Sequence, residues 1–163
     1  MATRSVSPVP SVSESVGSFL GWLETPLADI MIRHPITAEE SDTVRAVQAR
    51  MNHSGAGHLP VVAGDRPVGM ITAHDVARRM PVPITFLRRA KMNRRLDLPV
   101  TEMMSTPAVT LPATATLEVA VKKMVDADVG AIMVVDPRDG RLVGLITRST
   151  IARLVAAEEG DAA

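Results

Sequence analysis

Apolar and polar residues follow one pattern along this chain, and the pattern occurs twice. Each copy begins with a short extended segment, continues with apolar residues at helical spacing, and then has two short apolar runs of strand character and a closing helix. The helical apolar positions are Val44, Val47 and Met51 in the first copy and Leu117, Ala120, Val121 and Met124 in the second. The closing helices start at Thr72 and Thr147. The pattern therefore predicts the element order β-α-β-β-α, twice.

The two copies align residue by residue, which identifies an internal repeat. The aligned pairs are Met31 with Met104, Thr37 with Thr110, Met51 with Met124, Gly57 with Gly130, and Gly69 with Gly144. One β-α-β-β-α unit leaves a face of its sheet uncovered, so two of them are expected to pack together around a common core. The predicted fold class is α+β, with two repeats packed pseudo-symmetrically through their sheets.

The repeats divide the chain into six segments. Residues 1–13 are predicted to be a disordered tail, 14–26 an N-terminal helix, 27–80 repeat 1, 81–99 a basic linker, 100–157 repeat 2, and 158–163 a second tail. The N-terminal helix either packs on its own domain or docks as an arm on a partner subunit. The linker contains the one dense basic stretch, made of Arg88, Arg89, Lys91, Arg94 and Arg95.

Composition and charge exclude several classes of protein. The chain has no cysteine, which excludes disulfides, thiolate nucleophiles and cysteine-based zinc sites. Its formal net charge is zero, so a dedicated nucleic-acid binder is not expected. No apolar run is long enough to span a bilayer, and no secretory signal is present at the N-terminus. We expect a soluble, cytoplasmic protein without a membrane partner.

The end of repeat 1 combines residue types that suit a ligand with a phosphate and a ribose. Gly69 permits close approach of the backbone to a ligand, and Thr72 stands where a strand becomes a helix, whose first N–H groups favour an anion. Asp75 can accept hydrogen bonds from the two vicinal hydroxyls of a ribose. The alternative is purely structural, with Thr72 capping the helix and Asp75 interacting favourably with the helix dipole.

The doubled G-h-h-T endings and the G-x-x-h-V-V strands resemble the CBS-domain pair, also called a Bateman module, from Leu27 to about Leu154. The resemblance implies a stand-alone, non-catalytic sensor with two clefts between its repeats. It further implies AMP, ADP or ATP as the ligand, with S-adenosylmethionine or NAD as alternatives, and no cofactor. A homodimer of CBS pairs and an unidentified protein partner that receives the signal are also implied.

The same resemblance assigns residues to the two clefts. For the stronger cleft these are Thr72, His74, Asp75, Pro107, Ala108, Val109, Gly130, Ala131 and Ile132. For the weaker cleft they are Pro35, Ile36, Gly57, His58, Leu59, Thr147, Arg148 and Thr150. Thr150 stands where repeat 1 has Asp75, and a neutral hydroxyl cannot form the charge-assisted bonds that a carboxylate forms. The two clefts are therefore expected to bind ligand unequally.

A metal-binding protein, an enzyme and an interaction module are the alternatives to a ligand sensor. The spacing of His53 and His58 matches no standard metal-ligand pattern, so no metal site is expected. Thr72, His74 and Asp75 do not all face one another at a helix start, which argues against an enzyme. The third is an interaction module whose basic linker contacts nucleic acid or an acidic protein while the clefts are vestigial. It stays open as the alternative.

Overall fold

The computed structural model describes residues 20–79 and 94–161. The predicted tail 1–13, most of the predicted N-terminal helix and most of the basic linker lie outside the described residues, although residues 20–22 are helical. The elements are α1 (Leu27–Ile30), β1 (Ile32–Arg33), β2 (Ala38–Glu39), α2 (Val44–Ser54), β3 (His58–Ala63), β4 (Arg66–Thr72), α3 (Ala73–Arg79), a 3₁₀ helix (Val100–Glu102), β5 (Thr110–Pro112), α4 (Leu117–Asp126), β6 (Ala131–Val135), β7 (Leu142–Thr147) and α5 (Arg148–Asp161).

The predicted element order is confirmed in both repeats, and so is the α+β fold class. Repeat 1 contains β2-α2-β3-β4-α3 and repeat 2 contains β5-α4-β6-β7-α5. Helix α5 is longer than predicted. It continues to Asp161 and so includes part of the segment 158–163, which the sequence predicts to be a tail. The extension follows from the sequence around 156–159, since Ala and Glu are strong helix formers.

Helices α2 and α4 each have an apolar face that becomes buried, but only α2 has a side-chain cap, because Thr116 at the start of α4 makes no cap hydrogen bond. Thr43 caps α2, and its hydroxyl accepts a hydrogen bond from the Ala46 N–H at 3.2 Å. Gly55 ends the helix in the left-handed conformation at φ 71°, which a glycine adopts without a steric penalty. The buried faces are Val44, Val47 and Met51 in α2 and Leu117, Ala120 and Met124 in α4.

The strands form two sheets whose membership crosses the boundary between the repeats. One sheet has the order β2-β3-β4, and the other has the order β1-β7-β6-β5. Strand β1 lies in the leading segment of repeat 1 but pairs antiparallel with β7 of repeat 2, with Ile32 opposite Leu145. In the symmetric position, Ser105 in the leading segment of repeat 2 bridges to Met70 of β4. Each repeat therefore lends its leading segment to the sheet of the other.

The hydrophobic cores show the same exchange. Leu27 begins repeat 1 but is completely buried in the core of repeat 2, and its N–H donates to the Ala115 carbonyl at 2.8 Å. Val100 begins repeat 2 but is completely buried in the core of repeat 1, and its N–H donates to the Asp42 carbonyl at 2.7 Å. Neither core is complete without the other repeat's leading segment. Packing through the sheets was predicted, and the exchange was not.

A third apolar cluster joins the two sheets. It contains Ala131, Met133 and Leu145 of repeat 2, with Met70 of repeat 1 packed against them. The strands β3 and β6 begin next to each other at this boundary, because a Cβ added to Gly130 would lie 3.2 Å from the His58 Nε2 atom. The close approach of the two strand starts positions the cleft described next.

Candidate functional site

A cleft of about 680 Å³ lies between the two repeats. Its volume falls within the range of small-molecule sites, roughly 300 to 1,000 Å³. The lining residues are Gly57, His58, Met70, Thr72, His74, Asp75, Ser105, Pro107, Val109, Asp128, Val129, Gly130, Ala131, Met133 and Arg148. Both repeats contribute polar and apolar side chains to this lining.

Thr72 and Asp75 form a reciprocal capping arrangement at the start of α3. The Asp75 N–H donates to the Thr72 hydroxyl oxygen at 3.1 Å. In return the Asp75 Oδ2 atom accepts from the Thr72 N–H at 3.0 Å and from the Thr72 hydroxyl at 2.6 Å. No described residue bonds to the Asp75 Oδ1 atom. This half-buried carboxylate is therefore fixed in orientation and keeps one oxygen for a ligand.

The corresponding helix start in repeat 2 shares one bond of this cap but has no carboxylate to accept from the Thr147 N–H. The Thr150 N–H donates to the Thr147 hydroxyl at 3.1 Å, and the two threonine hydroxyls are 3.0 Å apart. Because the cap bond is equally long in both repeats, α3 does not need a carboxylate for this bond.

The first N–H groups of the closing helices are less available to an anion than the sequence suggested. The Ala73 N–H of α3 donates to the Gly57 carbonyl at 3.0 Å, and the Arg148 N–H of α5 donates to the Gly130 carbonyl at 3.1 Å. The Asp75 N–H is already occupied by the cap. A phosphate held by the start of α3, as expected from the sequence, would compete with these internal bonds.

Gly69 has a role different from the one that the sequence suggested. A Cβ at this position would lie 2.6 Å from Met104 Sδ and 2.7 Å from the Ser105 carbonyl oxygen, both in the leading segment of repeat 2. A Cβ on Gly144 would likewise overlap the side chain of Met31. These glycines make room for the exchanged segments, so the close approach is to another part of the chain rather than to a ligand.

Two basic side chains meet where the repeats touch. A Cβ on Gly130 would lie 3.2 Å from His58 Nε2 and 3.9 Å from Arg148 Nε, so both side chains cover this glycine. Burial and the positive charge of Arg148 lower the pKa of His58 below its ordinary value of 6.5, while Asp75 opposes the shift. His58 is therefore mainly uncharged at neutral pH.

Most residues assigned to the stronger cleft lie together. The cleft lining includes Thr72, His74, Asp75, Pro107, Val109, Gly130 and Ala131. Ala108 packs instead against the cluster between the sheets, and Ile132 is completely buried in the core of repeat 2. Alternate residues of a strand point to opposite faces, so Met133 reaches the cleft where Ile132 does not.

The residues assigned to the weaker cleft separate into two groups. Gly57, His58 and Arg148 line the same cleft as Asp75, because β3 and β6 begin side by side. The remaining residues are outside that lining: Leu59 and Thr147 are buried, Pro35 and Thr150 are half-buried, and Ile36 is exposed. Ligand binding at a second cleft stays a prediction.

Sequence reasoning missed five lining residues, which are Met70, Ser105, Asp128, Val129 and Met133. Strand alternation could have indicated the two methionines, since Met70 lies two residues before Thr72 and Met133 two residues after Ala131. Asp128 aligns with Gly55 of repeat 1, and both adopt a positive φ. A charged residue that aligns with a glycine of the other repeat could therefore have indicated Asp128 as a site residue.

The described residues contain neither a cluster of metal ligands nor a membrane-spanning helix. No group of three or more His, Asp or Glu side chains there is arranged to hold a metal ion. None of the described helices combines the length and apolar character needed to cross a bilayer.

The sequence of the chain is similar to parts of several known proteins. It is 29% identical to protein MJ1404 of Methanocaldococcus jannaschii over 82% of this chain and 32% of that protein. It is 28% identical to homoserine O-acetyltransferase of Methanohalobium evestigatum over 80% of this chain and 24% of that enzyme. The chain thus spans a third or less of the length of these relatives.

Solved structures and a family model complete the comparison. The CBS domain of a bacterial CNNM/CorC family Mg²⁺ transporter, in complex with ATP, superposes with a TM-score of 0.72 at 21% identity, covering 90% of this chain and 98% of that one. The CBS pair of protein MJ0100, in complex with 5′-methylthioadenosine and S-adenosyl-L-methionine, gives 0.66 at 24% identity, covering 82% and 98%. The CBS-domain model matches residues 27–82 and 100–157. These two matches take in most of the chain and coincide with the two repeats, so the chain belongs to the CBS-domain family.

Proposed function

We propose that the chain is a non-catalytic regulatory module that binds an adenosine-containing ligand in the cleft between its repeats. Adenine nucleotides, namely AMP, ADP and ATP, are the first candidates, and S-adenosylmethionine and NAD are the alternatives. Asp75 accepts hydrogen bonds from the ribose hydroxyls, and apolar side chains such as Val109 and Met133 contact the base.

The observation that carries the proposal is the free oxygen of a fixed carboxylate inside the cleft. Oδ2 of Asp75 is held by two bonds from Thr72, while Oδ1 is left for a ligand by the described residues. Vicinal hydroxyls are matched donors for such a carboxylate, and the charge strengthens the bonds. The ligands named for the two superposed structures all contain an adenosine group.

The structural alternative for Asp75 is weakened by the second repeat. The backbone N–H of Thr150 makes the same 3.1 Å bond in repeat 2 as the N–H of Asp75 makes in repeat 1, so this bond needs no carboxylate. The bonds from Thr72 use only the Oδ2 atom of Asp75, so the Oδ1 atom is more than the cap requires. A ligand in the cleft is the simplest use for it.

The test is a thermal titration of the full chain with AMP, ADP, ATP, S-adenosylmethionine and NAD. A ligand that binds only the folded state raises the melting temperature, and at about one hundred times its Kd it contributes about 2.7 kcal/mol. We expect at least one of the five compounds to produce a shift. If none does, the sensor proposal fails.

Two variants separate ligand binding from helix capping. Asp75→Asn keeps the size and one acceptor oxygen but removes the charge, so we expect it to abolish most of the ligand-induced shift. Thr150→Ala removes the corresponding side chain of repeat 2 and should leave most of the shift. Equal losses in both variants would contradict the assignment of ribose binding to Asp75.

Other parts of the function stay predictions. These are the homodimer of CBS pairs, the unidentified protein partner, the cytoplasmic location and the absence of catalysis. Binding of nucleic acid or an acidic protein by the basic linker also stays untested, because most of that segment lies outside the described residues.

A further inference from the structure

We propose that a contact between two turns, at the ends of the strands that lie away from the cleft, holds the two cleft walls at a fixed separation, so that breaking it weakens ligand binding. The turns connect β3 to β4 in repeat 1 and β6 to β7 in repeat 2. The effect on ligand binding rests on the proposed function, whereas the effect on the separation of the walls does not.

The turn contact is formed by Asp65 and Arg66 of repeat 1 and by Gly140, Arg141 and Leu142 of repeat 2. The Leu142 N–H donates to the Asp65 carbonyl at 2.8 Å, which is a backbone hydrogen bond between the repeats. Arg141 Nη1 lies 3.5 Å from Asp65 Oδ2. A Cβ on Gly140 would lie 3.4 Å from Arg66 Nη1. Both side chains of the ion pair are exposed, so the backbone bond is the stronger part of the contact.

Only repeat 2 can donate this backbone bond. Leu142 aligns with Pro67, and the two pair at the same point of their hairpins, with Val135 and Val62 respectively. Proline has no N–H, so repeat 1 cannot form the reverse bond. Six residues connect Val135 to Leu142, whereas four connect Val62 to Pro67. The longer turn of repeat 2 therefore supplies the donor for a contact that the shorter turn cannot reciprocate.

The turn contact and the cleft lie at opposite ends of the same two hairpins. His58 and Thr72 pair at the cleft end of β3 and β4, and Ala63 and Arg66 pair at the turn end. The strand between His58 and Ala63 spans about 16 Å of extended chain. In repeat 2, β6 likewise begins at Ala131 in the cleft lining and ends at the turn. Each hairpin is therefore joined to the other at its turn and forms cleft wall at its opposite end.

The packing between these two ends can adjust. The cluster between the sheets contains Met133 and Leu145, with Met70 packed against them. Methionine is unbranched and fills irregular space, so this layer tolerates a small change in the angle between the hairpins. The exchanged leading segments do not fix that angle. Each packs on the other repeat and joins its own through residues that are exposed or half-buried, which are 34–37 and 106–109.

A ligand that contacts both walls depends on this angle. In the proposed binding mode, Asp75 holds it from repeat 1, while Val109 and Met133 hold it from repeat 2. Such a ligand binds only those molecules whose walls have the right separation, so its apparent affinity falls with the fraction of such molecules. By the same linkage, a bound ligand should favour formation of the turn contact.

Leu142→Pro tests the turn contact without any ligand. It removes the N–H at a position where repeat 1 already has proline, and the first residue of a strand tolerates proline. Because the chain has no cysteine, spin labels can be attached at Arg78→Cys and Asp126→Cys, which are exposed on opposite repeats. Distance measurement by electron paramagnetic resonance should give a broader distribution in Leu142→Pro than in the labelled parent chain. A label pair within repeat 1, at Asn52→Cys and Arg78→Cys, should keep its distribution.

Two control variants keep the backbone bond. Leu142→Ala shortens the side chain but retains the N–H, and Arg141→Gln removes the exposed ion pair. Both should leave the distance distribution between the repeats unchanged. If Leu142→Pro did the same, or if Leu142→Ala broadened the distribution equally, the turn contact would not set the separation of the walls.

The coupling to binding is measured by isothermal titration with ATP and S-adenosylmethionine. Leu142→Pro should weaken binding of either compound by about threefold to tenfold, the ratio that corresponds to one hydrogen bond. Arg141→Gln should weaken it by less than about twofold. Unchanged affinity in a Leu142→Pro chain with a broadened distribution would overturn the coupling. If no adenosine compound binds, the proposed function and the coupling fail together, whereas a broadened distribution still supports the turn contact as the element that sets the separation.

A second measurement needs no substitution, so it does not depend on the folding of a variant. Saturating ATP or S-adenosylmethionine should slow solvent exchange of the Leu142 amide by at least about threefold, the reciprocal of the effect on affinity. The Gly140 amide is the control, because it donates within its own turn to the Asp136 carbonyl at 2.9 Å and should not respond. Exchange followed by NMR gives both rates. A bound compound that slowed neither amide, or both equally, would contradict the proposal.

Discussion

The closing helices of the two repeats, α3 and α5, begin in the same way but differ by one charge. In each helix, the N–H of the third residue donates to the hydroxyl of the capping threonine at 3.1 Å. The N–H of the first residue donates to the carbonyl of a glycine, which is Gly57 just before β3 for α3 and Gly130 just before β6 for α5. Asp75 of α3 adds a carboxylate that Thr150 of α5 lacks. The comparison therefore separates the hydrogen bonds that both helix starts share from the carboxylate that can bind a ligand in α3 alone.

The leading segments of the repeats show the opposite situation, because there the two copies match. Pro26 bridges to Thr116 in the same way as Pro99 bridges to Thr43, and each leading segment buries apolar side chains in the other repeat's core. The duplication has thus kept the exchange that joins the repeats. Two of the differences between the repeats lie at the cleft: Asp75 against Thr150, and Asp128 against Gly55.

The largest effect is expected from Leu27→Ala, which tests the exchange. Leu27 is completely buried, so its truncation should lower the free energy of unfolding by about 2 to 5 kcal/mol. Amide hydrogen exchange should accelerate in β6 and β7 of repeat 2 more than in β3 and β4 of repeat 1, although Leu27 belongs to repeat 1. The measurements are chemical unfolding and hydrogen exchange followed by NMR.

Leu20→Ala is the matched control for this substitution. Leu20 is 57% exposed, so its truncation should change stability by no more than about 0.5 kcal/mol. If Leu27→Ala loosened repeat 1 first, the reciprocal completion of the two cores would not describe the protein in solution.

A smaller effect is expected where glycine admits the exchanged segment. Gly69→Ala should lower the free energy of unfolding by about 1 to 3 kcal/mol, the usual cost of overpacking. Gly144→Ala should cost a similar amount, but the two should differ in how they are rescued. A Cβ on Gly144 meets only side-chain atoms of Met31, whereas a Cβ on Gly69 also meets the backbone oxygen of Ser105.

Double variants measure that difference. Met31→Ala should recover a larger part of the loss in Gly144→Ala than Met104→Ala recovers in Gly69→Ala, because shortening a methionine cannot move a carbonyl group. Thermal or chemical unfolding of the four variants provides the comparison. Equal recovery in the two repeats would mean that the Ser105 backbone shifts easily.

The repeats made most of the fold predictable, because one pattern of apolar spacing occurs twice and the copies support each other. The helix faces at Val44, Val47 and Met51 are buried as expected. The exchange of leading segments was out of reach, since an apolar residue such as Leu27 is expected to be buried, but the sequence does not show which repeat buries it. The site residues that belong to a sequence motif, such as Thr72 and Asp75, could be predicted. Asp128 could not be predicted, because it lines the cleft only through the conformation of its loop.

Thr150→Asp tests whether one charge accounts for the difference between the closing helices. The new carboxylate would lie in the first turn of α5, where it should add about 0.3 to 1 kcal/mol to stability through the helix dipole and the cap. It should also create a second ribose-binding carboxylate, so that titration with the ligand identified for the unmodified chain gives two sites instead of one. Thr150→Asn, of the same size without the charge, should leave one site. A single site in both variants would show that the weaker cleft lacks more than a carboxylate.

The smallest effect concerns the pH response of His58, which lies where the two repeats meet. Burial and the charge of Arg148 lower its pKa in the folded protein below 6.5, while Asp75 acts in the opposite direction. The unfolded chain therefore binds this proton more readily, so His58 reduces stability as the pH falls below its ordinary pKa. His58→Gln should make the melting temperature fall less between about pH 7.5 and pH 5.5, around the ordinary histidine pKa. The His53→Gln variant, which removes an exposed histidine of α2, is the matched control. NMR titration of the imidazole gives the direct check: Arg148→Gln should raise the pKa of His58, and Asp75→Asn should lower it. If the pKa of His58 changed in neither variant, His58 would not couple the two halves of the cleft.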